Sequence, residues 1–318
     1  LEGGRGGPAA APIARTIFEA YAPGRANPRE VTVKLRGRAE SVRLALEDYT
    51  AAVLAGECAT FSSEEALKAM AVAARTWAVR HRGRHGDEGF DFCDATHCQY
   101  LRLEGHTEGL RAAVEATEGE LLWYEGTPAA TFHHGHCGGM TETGANVWPG
   151  LHAPYLRTAS DAYCTRTGRA PWSSQVLKAE LATALRASGP LTLEVARRTP
   201  SGRVAEVRVA GRRWPGAQFE NAVGRALGWH LLKSNWYEAA DMGDHIVFRG
   251  YGAGHGVGLC QAGAEERGRE GHNYRQILLH YFPGTVLGVS ARGFSWTRMG
   301  GERVEVWSTR PQRDAPLV

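Results

Sequence analysis

The sequence contains no run of eighteen apolar residues, so we expect no transmembrane helix. It also lacks the pattern of an N-terminal signal peptide. The chain begins with Leu1 rather than methionine, which fits a mature or trimmed form and leaves export open. Residues 1–13 are rich in glycine, proline and alanine, a composition typical of a disordered segment or a short linker.

A large excess of charge of one sign is absent as well. Lysine and arginine number 37 and aspartate and glutamate 34, which leaves a formal charge of +3. This balance argues against a partner such as nucleic acid or an anionic membrane surface. The sequence has no Walker loop, no Gly-x-Ser-x-Gly elbow and no His-Glu-x-x-His helix, so it carries none of the motifs of P-loop enzymes, α/β-hydrolases or common zinc peptidases.

Helical and alternating hydrophobic patterns are interspersed along the 318 residues, which predicts an α+β fold of helices and antiparallel sheets. This length allows one large domain or two modest ones. We expect the following regions: a linker over 1–30, a core region over 31–172, an inserted smaller α+β subdomain over 173–240, a second core region over 241–310 and a tail over 311–318.

The periodicities also predict individual elements. The predicted helices lie near 48–57, 64–81, 107–117, 177–187, 219–227 and 273–281. The predicted strands lie at 31–35, 42–46 and 304–307, with hairpins formed by 120–124 with 129–133 and by 191–195 with 204–209. Asp48 is the expected cap of the first helix.

The helix predicted over 64–81 has apolar residues at steps of three and four. Ser62 is a plausible N-cap, and Glu65 follows at the spacing of a capping box. By this reasoning Glu65 is a structural residue that reaches back to the Ser62 amide or pairs with Lys68 one turn along.

The six cysteines stand at 58, 93, 98, 137, 164 and 260. Cys93, His97 and Cys98 place two sulfurs and an imidazole within six residues, a ligand set that suits zinc. His85 is a candidate fourth ligand, and Cys137 competes with it. Disulfides that join Cys93 and Cys98 to Cys137 and Cys164 would account for the same cysteines. Zinc binding and disulfide formation therefore both stay open.

Glycine is abundant, and five glycines fall within residues 252–263. Such a loop lets the backbone come close to a ligand or to a helix, although its spacing is not that of a dinucleotide fingerprint. His255 and Gln261 are its polar side chains, and Cys260 is expected to be a buried thiol. In the segment 133–137, the histidines with Cys137 are a further possible metal cluster, and a hydrogen-bonded structural role is the alternative for a histidine such as His133.

Two runs of this sequence resemble one known family. Residues 65–77, EALKAMAVAARTW, and residues 254–264, GHGVGLCQAGA, are similar to the two signatures of the stage II sporulation protein D family, in the expected order. The segments around Cys93 to Gln99 and His133 to Glu142 also resemble that family, and the likeness spans roughly residues 30–310. The family includes peptidoglycan lytic transglycosylases and amidase-enhancer domains.

The resemblance implies a lytic transglycosylase that cleaves the β-1,4 bond between N-acetylmuramic acid and N-acetylglucosamine and leaves a 1,6-anhydro end. It assigns Glu65 as a single acid and base, kept neutral by apolar surroundings, with Glu57 as the runner-up. It implies supporting or sugar-binding roles for His133, His255 and Gln261, a zinc ion near the catalytic glutamate in some members, and a place outside the cytoplasm, in the cell envelope or secreted.

Two rival functions stay open at this point. The same fold can bind glycan without cleaving it and stimulate a separate cell-wall amidase, as the enhancer branch of the family does. A zinc hydrolase built on Cys93, His97 and Cys98 is the third reading, because three protein ligands leave room for a catalytic water.

Overall fold

The computed structural model describes residues 29–58, 60–95, 97–166 and 168–289, together with the backbone of 295–299 and 302–306. The predicted tail over 311–318 and nearly all of the predicted linker lie outside the described residues. The chain forms two compact units, one of residues up to Thr131 together with those from Gly284 onward, the other of Phe132–Pro283. These units divide the chain at other points than the predicted domain boundaries.

The fold is α+β, as predicted from the sequence. The helices are α1 (Leu46–Glu57), α2 (Glu64–His81), α3 (Glu108–Ala116), α4 (Gly144–Val147), α5 (Lys178–Leu185), α6 (Gly216–Leu227), α7 (Gln261–Arg269) and α8 (Tyr274–Tyr281). The strands are β1 (Glu30–Lys34), β2 (Ser41–Ala45), β3 (Phe92–Cys93), β4 (Glu120–Tyr124), β5 (Thr127–Pro128), β6 (His133–His134), β7 (Pro171–Leu177), β8 (Leu193–Arg198), β9 (Val204–Val209), β10 (Arg212–Pro215), β11 (Tyr237–Asp241), β12 (His245–Tyr251), β13 (Leu259–Cys260), β14 (Val286–Val289), β15 (Ser295–Met299) and β16 (Glu302–Val306). In the described part of the chain, no helix combines the length and apolarity that crossing a bilayer demands.

Helix α2 is the centre of the first unit and packs against α1, α3 and β4. Its alanines let these neighbours approach closely, and nearly every residue from Ala66 to Val79 is buried. Arg75 is the buried charge of this helix: it is 0% exposed and holds Glu47 of α1 through Nε and Nη2 at 2.6–2.9 Å. The ion pair therefore ties α1 to α2 inside the core.

The first unit also contains two three-stranded sheets. In one, β1 lies between β2, which is antiparallel to it, and β3, which is parallel. In the other, β4 lies between β14 and β5. The hairpin predicted over 120–133 is shorter than expected, because β4 pairs with Thr127–Pro128 and His133–His134 pair instead with β13 in the second unit. Helix α1 begins at Leu46 after Ala45, so Asp48 lies in its first turn rather than at its cap.

The second unit holds two antiparallel sheets, β10-β9-β8 and β11-β12-β7. Val207, Phe219, Tyr237 and Phe248 are among the residues of its apolar core. Strand β12 pairs with β7 along its whole length and with β11 over most of it, so this sheet extends to Tyr251, past the expected subdomain boundary at residue 240.

Candidate functional sites

Glu65 lies in the first turn of α2, next to the long buried stretch of that helix. Its side chain is 30% exposed, against 68% for Glu64. Lys68 contacts both carboxylates, with Nζ at 2.9 Å from Glu65 and 2.6 Å from Glu64. Hydrogen bonds to Glu64 and Glu65 raise the pKa of Lys68, so its ammonium stays charged beside them. Glu65 therefore lies next to a cation and solvent, not in the apolar surroundings that the resemblance implied.

The cap of α2 differs from the sequence prediction by one residue. Ser63, not Ser62, is the N-cap, and its Oγ accepts a hydrogen bond from the Ala66 amide. Glu65 is therefore the second helical residue and not the fourth position of a capping box. The alternative structural role, pairing with Lys68, is present. Glu57, the runner-up acid, is the last residue of α1 and accepts a hydrogen bond from the Tyr100 amide.

His85, Cys93, His97 and Cys98 come together in the first unit, with one ligand atom from each within 4.8 Å of all the others. Cys98 Sγ lies 3.4 Å from His85 Nε2 and 3.7 Å from His97 Nδ1, and Cys93 Sγ lies 3.7 Å from the same His97 nitrogen. Ligands on a zinc tetrahedron are separated by about 3.6 Å for a sulfur and a nitrogen, so these residues fit one ion.

The surroundings of this cluster also suit a metal. Glu88 Oε1 lies 2.6 Å from His85 Nδ1, which leaves Nε2 as the ligand atom, the arrangement that carboxylates impose on metal-binding histidines. Burial raises the pKa of the Cys98 thiol to about 12, so a thiolate at this position needs a cation beside it. Parallel pairing of β3 with β1 fixes the backbone at Cys93.

The disulfide alternative is not formed. Cys93, Cys98, Cys137 and Cys164 are all thiols, and the first two belong to the first unit whereas the other two belong to the second. Cys137, the competing fourth ligand, has Asp161, Cys164 and Cys260 as its neighbours instead. His85 is thus the fourth member of the first cluster.

His133, His255 and Gln261 all belong to the second unit, on β6, on the glycine-rich loop and at the start of α7. His255 is half-buried, and its Nδ1 accepts a hydrogen bond from the Val257 amide at 3.0 Å. Burial lowers the pKa of His255 to about 3, assisted by the nearby His133 and Arg203, so the ring is neutral. Sugar binding by these three residues stays a prediction.

Sequence reasoning passed over an aromatic neighbour of His255. The Trp148 ring lies 4.9 Å from the His255 ring and stacks on Phe132 at 4.2 Å. Trp148 follows the short helix α4 and has no periodic pattern around it, so only its place after the segment that ends at Glu142 could have drawn attention to it.

The glycine-rich loop approaches other protein segments closely. A Cβ at Gly256 would lie 2.4 Å from the Arg203 guanidinium carbon, and one at Gly258 would lie 2.2 Å from the Phe132 carbonyl oxygen. Both glycines have positive φ angles, +80° and +72°. At these two positions the space beside the backbone is filled by the protein itself, where the sequence led us to expect a ligand or the helix now named α2.

The chain is similar in sequence to several known proteins. The family model described as SpoIID, stage II sporulation protein, matches residues 36–124. The chain is 30% identical to an uncharacterized protein of Brachyspira hyodysenteriae, over 77% of this chain and 67% of the relative. It is 29% identical to the stage II sporulation protein D of Bacillus amyloliquefaciens, over 76% of this chain and 74% of the relative. It is also 25% identical to the amidase enhancer of Bacillus subtilis, over 74% of this chain but 39% of that longer protein.

Proposed function

The chain belongs to the stage II sporulation protein D family, and on this premise we propose that it is a lytic transglycosylase of peptidoglycan glycan strands. Peptidoglycan lies outside the cytoplasm, so the protein acts in the cell envelope or after secretion. The observation that carries the proposal is the position of Glu65: a carboxyl group that solvent reaches, on the first turn of a helix that is buried over nearly all of its residues from Ala66 to Val79.

The reaction needs one carboxyl group. Ordinary glycosidases use two, one as the acid and one as the nucleophile or base. In a lytic reaction, Glu65 donates its proton to the leaving oxygen as the bond from that oxygen to the muramoyl anomeric carbon breaks. The muramoyl 6-hydroxyl then bonds to the anomeric carbon and returns its proton to Glu65. The products are a 1,6-anhydro end and a free 4-hydroxyl, and no water is consumed.

Lys68 supports the proton transfers of Glu65. Glu65 must carry a proton before the bond breaks, whereas Lys68 bears its ammonium throughout. After Glu65 has lost its proton, the same ammonium stabilises the carboxylate from 2.9 Å. The packed helix keeps these groups in fixed positions, as a catalytic acid requires.

His85, Cys93, His97 and Cys98 would hold a zinc ion with four protein ligands. A site closed in this way is structural, because it leaves no position for an activated water. The ion would join β3 to the segment that carries His85 and would stiffen the first unit. This donor set therefore supports a transglycosylase over a zinc hydrolase.

The proposal is tested on glycan strands stripped of stem peptides. The full chain and Glu65→Gln are incubated with the strands, and the released ends are identified by mass spectrometry. We expect 1,6-anhydromuramoyl ends from the wild type and a loss of about 10²- to 10⁴-fold in Glu65→Gln, the usual contribution of a general acid and base. Glu64→Gln is the matched control, since Glu64 shares the same turn and the same lysine.

Similarity to the amidase enhancer of Bacillus subtilis favours one alternative, a glycan-binding protein that stimulates a separate cell-wall amidase. The same digest distinguishes it. Strand binding and amidase stimulation without new chain ends, equal in the wild type and Glu65→Gln, would support the enhancer. Reducing ends in place of anhydro ends would indicate hydrolysis.

A further inference from the structure

Three thiols and one carboxyl group converge inside the second unit, and the proposed reaction uses none of them. Cys137, Asp161, Cys164 and Cys260 are each 0% exposed, and one ligand atom from each lies within 4.8 Å of all the others. They come from the loop after β6, from the loop before β7 and from β13. We propose that these four side chains bind one zinc ion in a structural site separate from the cluster at His85.

The spacing suits a single ion. Cys137 Sγ lies 3.6 Å from Asp161 Oδ2, and zinc with a sulfur and an oxygen ligand separates them by about 3.6 Å. Three thiolates and one carboxylate complete a tetrahedron. An iron–sulfur cluster places several irons and sulfides between its ligands, and four ligand atoms this close leave no room for one.

The groups around the cluster support anionic ligands. The Cys137 amide donates a hydrogen bond to Cys260 Sγ at 3.2 Å. The Tyr281 hydroxyl donates to Asp161 Oδ2 at 2.7 Å, and the Cys164 amide lies 3.4 Å from Asp161 Oδ1. Donors of this kind orient metal ligands and stabilise their negative charge.

Gly263 shows that this arrangement is built into the backbone. A Cβ at this position would lie 2.2 Å from both Asp161 Oδ2 and the Tyr281 hydroxyl oxygen. Only glycine leaves space for the carboxylate and its donor to meet.

Charge balance points the same way. Zinc with three thiolates and a carboxylate leaves two negative charges, which are costly in a buried place unless cations lie close. Two arginines supply them: Arg203 is 0% exposed and donates to the Cys137 carbonyl at 2.9 Å, and Arg267 lies 3.6 Å from Asp161 Oδ1.

A neighbouring imidazole does not belong to the ligand set. His136 Nδ1 lies 3.2 Å from Cys164 Sγ, but it accepts the Gly138 amide, and Nε2 faces the Gly168 carbonyl. The backbone thus occupies both of its nitrogens. A disulfide is the other chemistry open to these thiols, and it would use two of the three and leave one over.

The test uses the full chain with the first cluster removed. Cys93→Ser/Cys98→Ser is purified after growth with zinc, and its metal content is measured by mass spectrometry. We expect about one zinc ion per chain to remain, and the further change Cys164→Ser to release it. Cys58→Ser, at a buried thiol outside both clusters, is the matched control and keeps the ion.

A second measurement covers the case in which Cys164→Ser does not fold. Cobalt replaces zinc in Cys93→Ser/Cys98→Ser, and strong sulfur-to-cobalt charge-transfer bands are expected from three thiolates. Asp161→Asn, which keeps a hydrogen-bond acceptor for Tyr281, should shift these bands and weaken the binding. A folded Cys93→Ser/Cys98→Ser protein without metal, or a disulfide among Cys137, Cys164 and Cys260 found after alkylation under non-reducing conditions, would overturn the proposal.

Discussion

At the scale of single residues, Glu64 and Glu65 are neighbours of the same chemistry in different surroundings. Glu65 is the more enclosed of the two, and both hold Lys68. The sequence placed a carboxylate near the start of the helix and named Lys68 as a partner of Glu65. It could not show that Lys68 is shared, because side-chain rotamers and not spacing decide which of two nearby carboxylates a lysine meets.

The shared lysine leads to a prediction about rate. Lys68→Met removes the cation that stabilises the Glu65 carboxylate, so anhydro-end formation should slow by about tenfold, which corresponds to roughly 1.4 kcal/mol in the barrier. Initial rates on denuded strands measure this. Lys178→Met, which removes a lysine paired with Asp241 in the second unit, should leave the rate unchanged; an equal loss in both variants would indicate a general effect of charge.

His255 leads to a prediction about pH. Its pKa is lowered to about 3 by burial, whereas an unfolded histidine titrates near 6.5. Between these values the unfolded chain binds the additional proton, so this contribution to stability is complete above about pH 6.5 and is lost as the pH falls towards 3. The free energy of unfolding should fall by about 1.4 kcal/mol per pH unit for this residue.

The variant His255→Asn isolates that contribution. Urea unfolding of the second unit is measured from pH 7 to pH 4. The free energy of unfolding of the variant should depend less steeply on pH than that of the wild type, and the difference should correspond to one bound proton. The absolute stability can change in the variant without affecting this comparison. An unchanged slope would mean that His255 is not the residue that must be neutral.

At the scale of elements, α2 was the most predictable part of the chain. Its bounds, Glu64–His81, are those expected from the sequence, because a long run of apolar residues at helical spacing leaves few alternatives. The observed N-cap, Ser63, differs from the predicted one, Ser62, by one residue. Both serines are equally good caps, and only the conformation of the backbone before the helix selects between them. The second strand of the predicted hairpin, at 129–133, does not pair with β4 as expected. His133–His134 pair instead with β13, more than a hundred residues away in the sequence.

The ion pair between α1 and α2 should be a large contributor to stability. Glu47→Gln leaves the fully buried Arg75 guanidinium without a counter-charge, which we expect to lower the free energy of unfolding by about 3 kcal/mol. Urea denaturation of the full chain measures the loss. Glu194→Gln breaks an exposed pair with Arg208 and should cost less than about 1 kcal/mol; similar losses in both variants would contradict the structural role of the buried pair.

The glycine-rich loop allows a test with two glycines of equal φ. Gly256 and Gly211 both have φ +80°, but a Cβ at Gly211 meets nothing within 4 Å. Gly211→Ala should therefore cost about 1 kcal/mol for the backbone alone, and Gly256→Ala about 2 kcal/mol more because it collides with Arg203. Thermal unfolding measures both, and equal losses would show that the loop does not need its close contact with Arg203.

At the scale of the whole molecule, the sequence predicted the α+β class and the family, since both follow from long patterns. It did not find the cluster of Cys137, Asp161, Cys164 and Cys260. These residues are spread over 124 positions of the sequence, and only the tertiary fold brings them together.

The central claim is that Glu65 alone moves the proton in a reaction that closes a sugar on itself. The most direct measurement is the initial rate of 1,6-anhydromuramoyl end formation on denuded glycan strands by the wild type, Glu64→Gln and Glu65→Gln. The account predicts similar rates for the first two proteins and a loss of at least about 100-fold for Glu65→Gln. Anhydro ends formed by Glu65→Gln at the wild-type rate would contradict it.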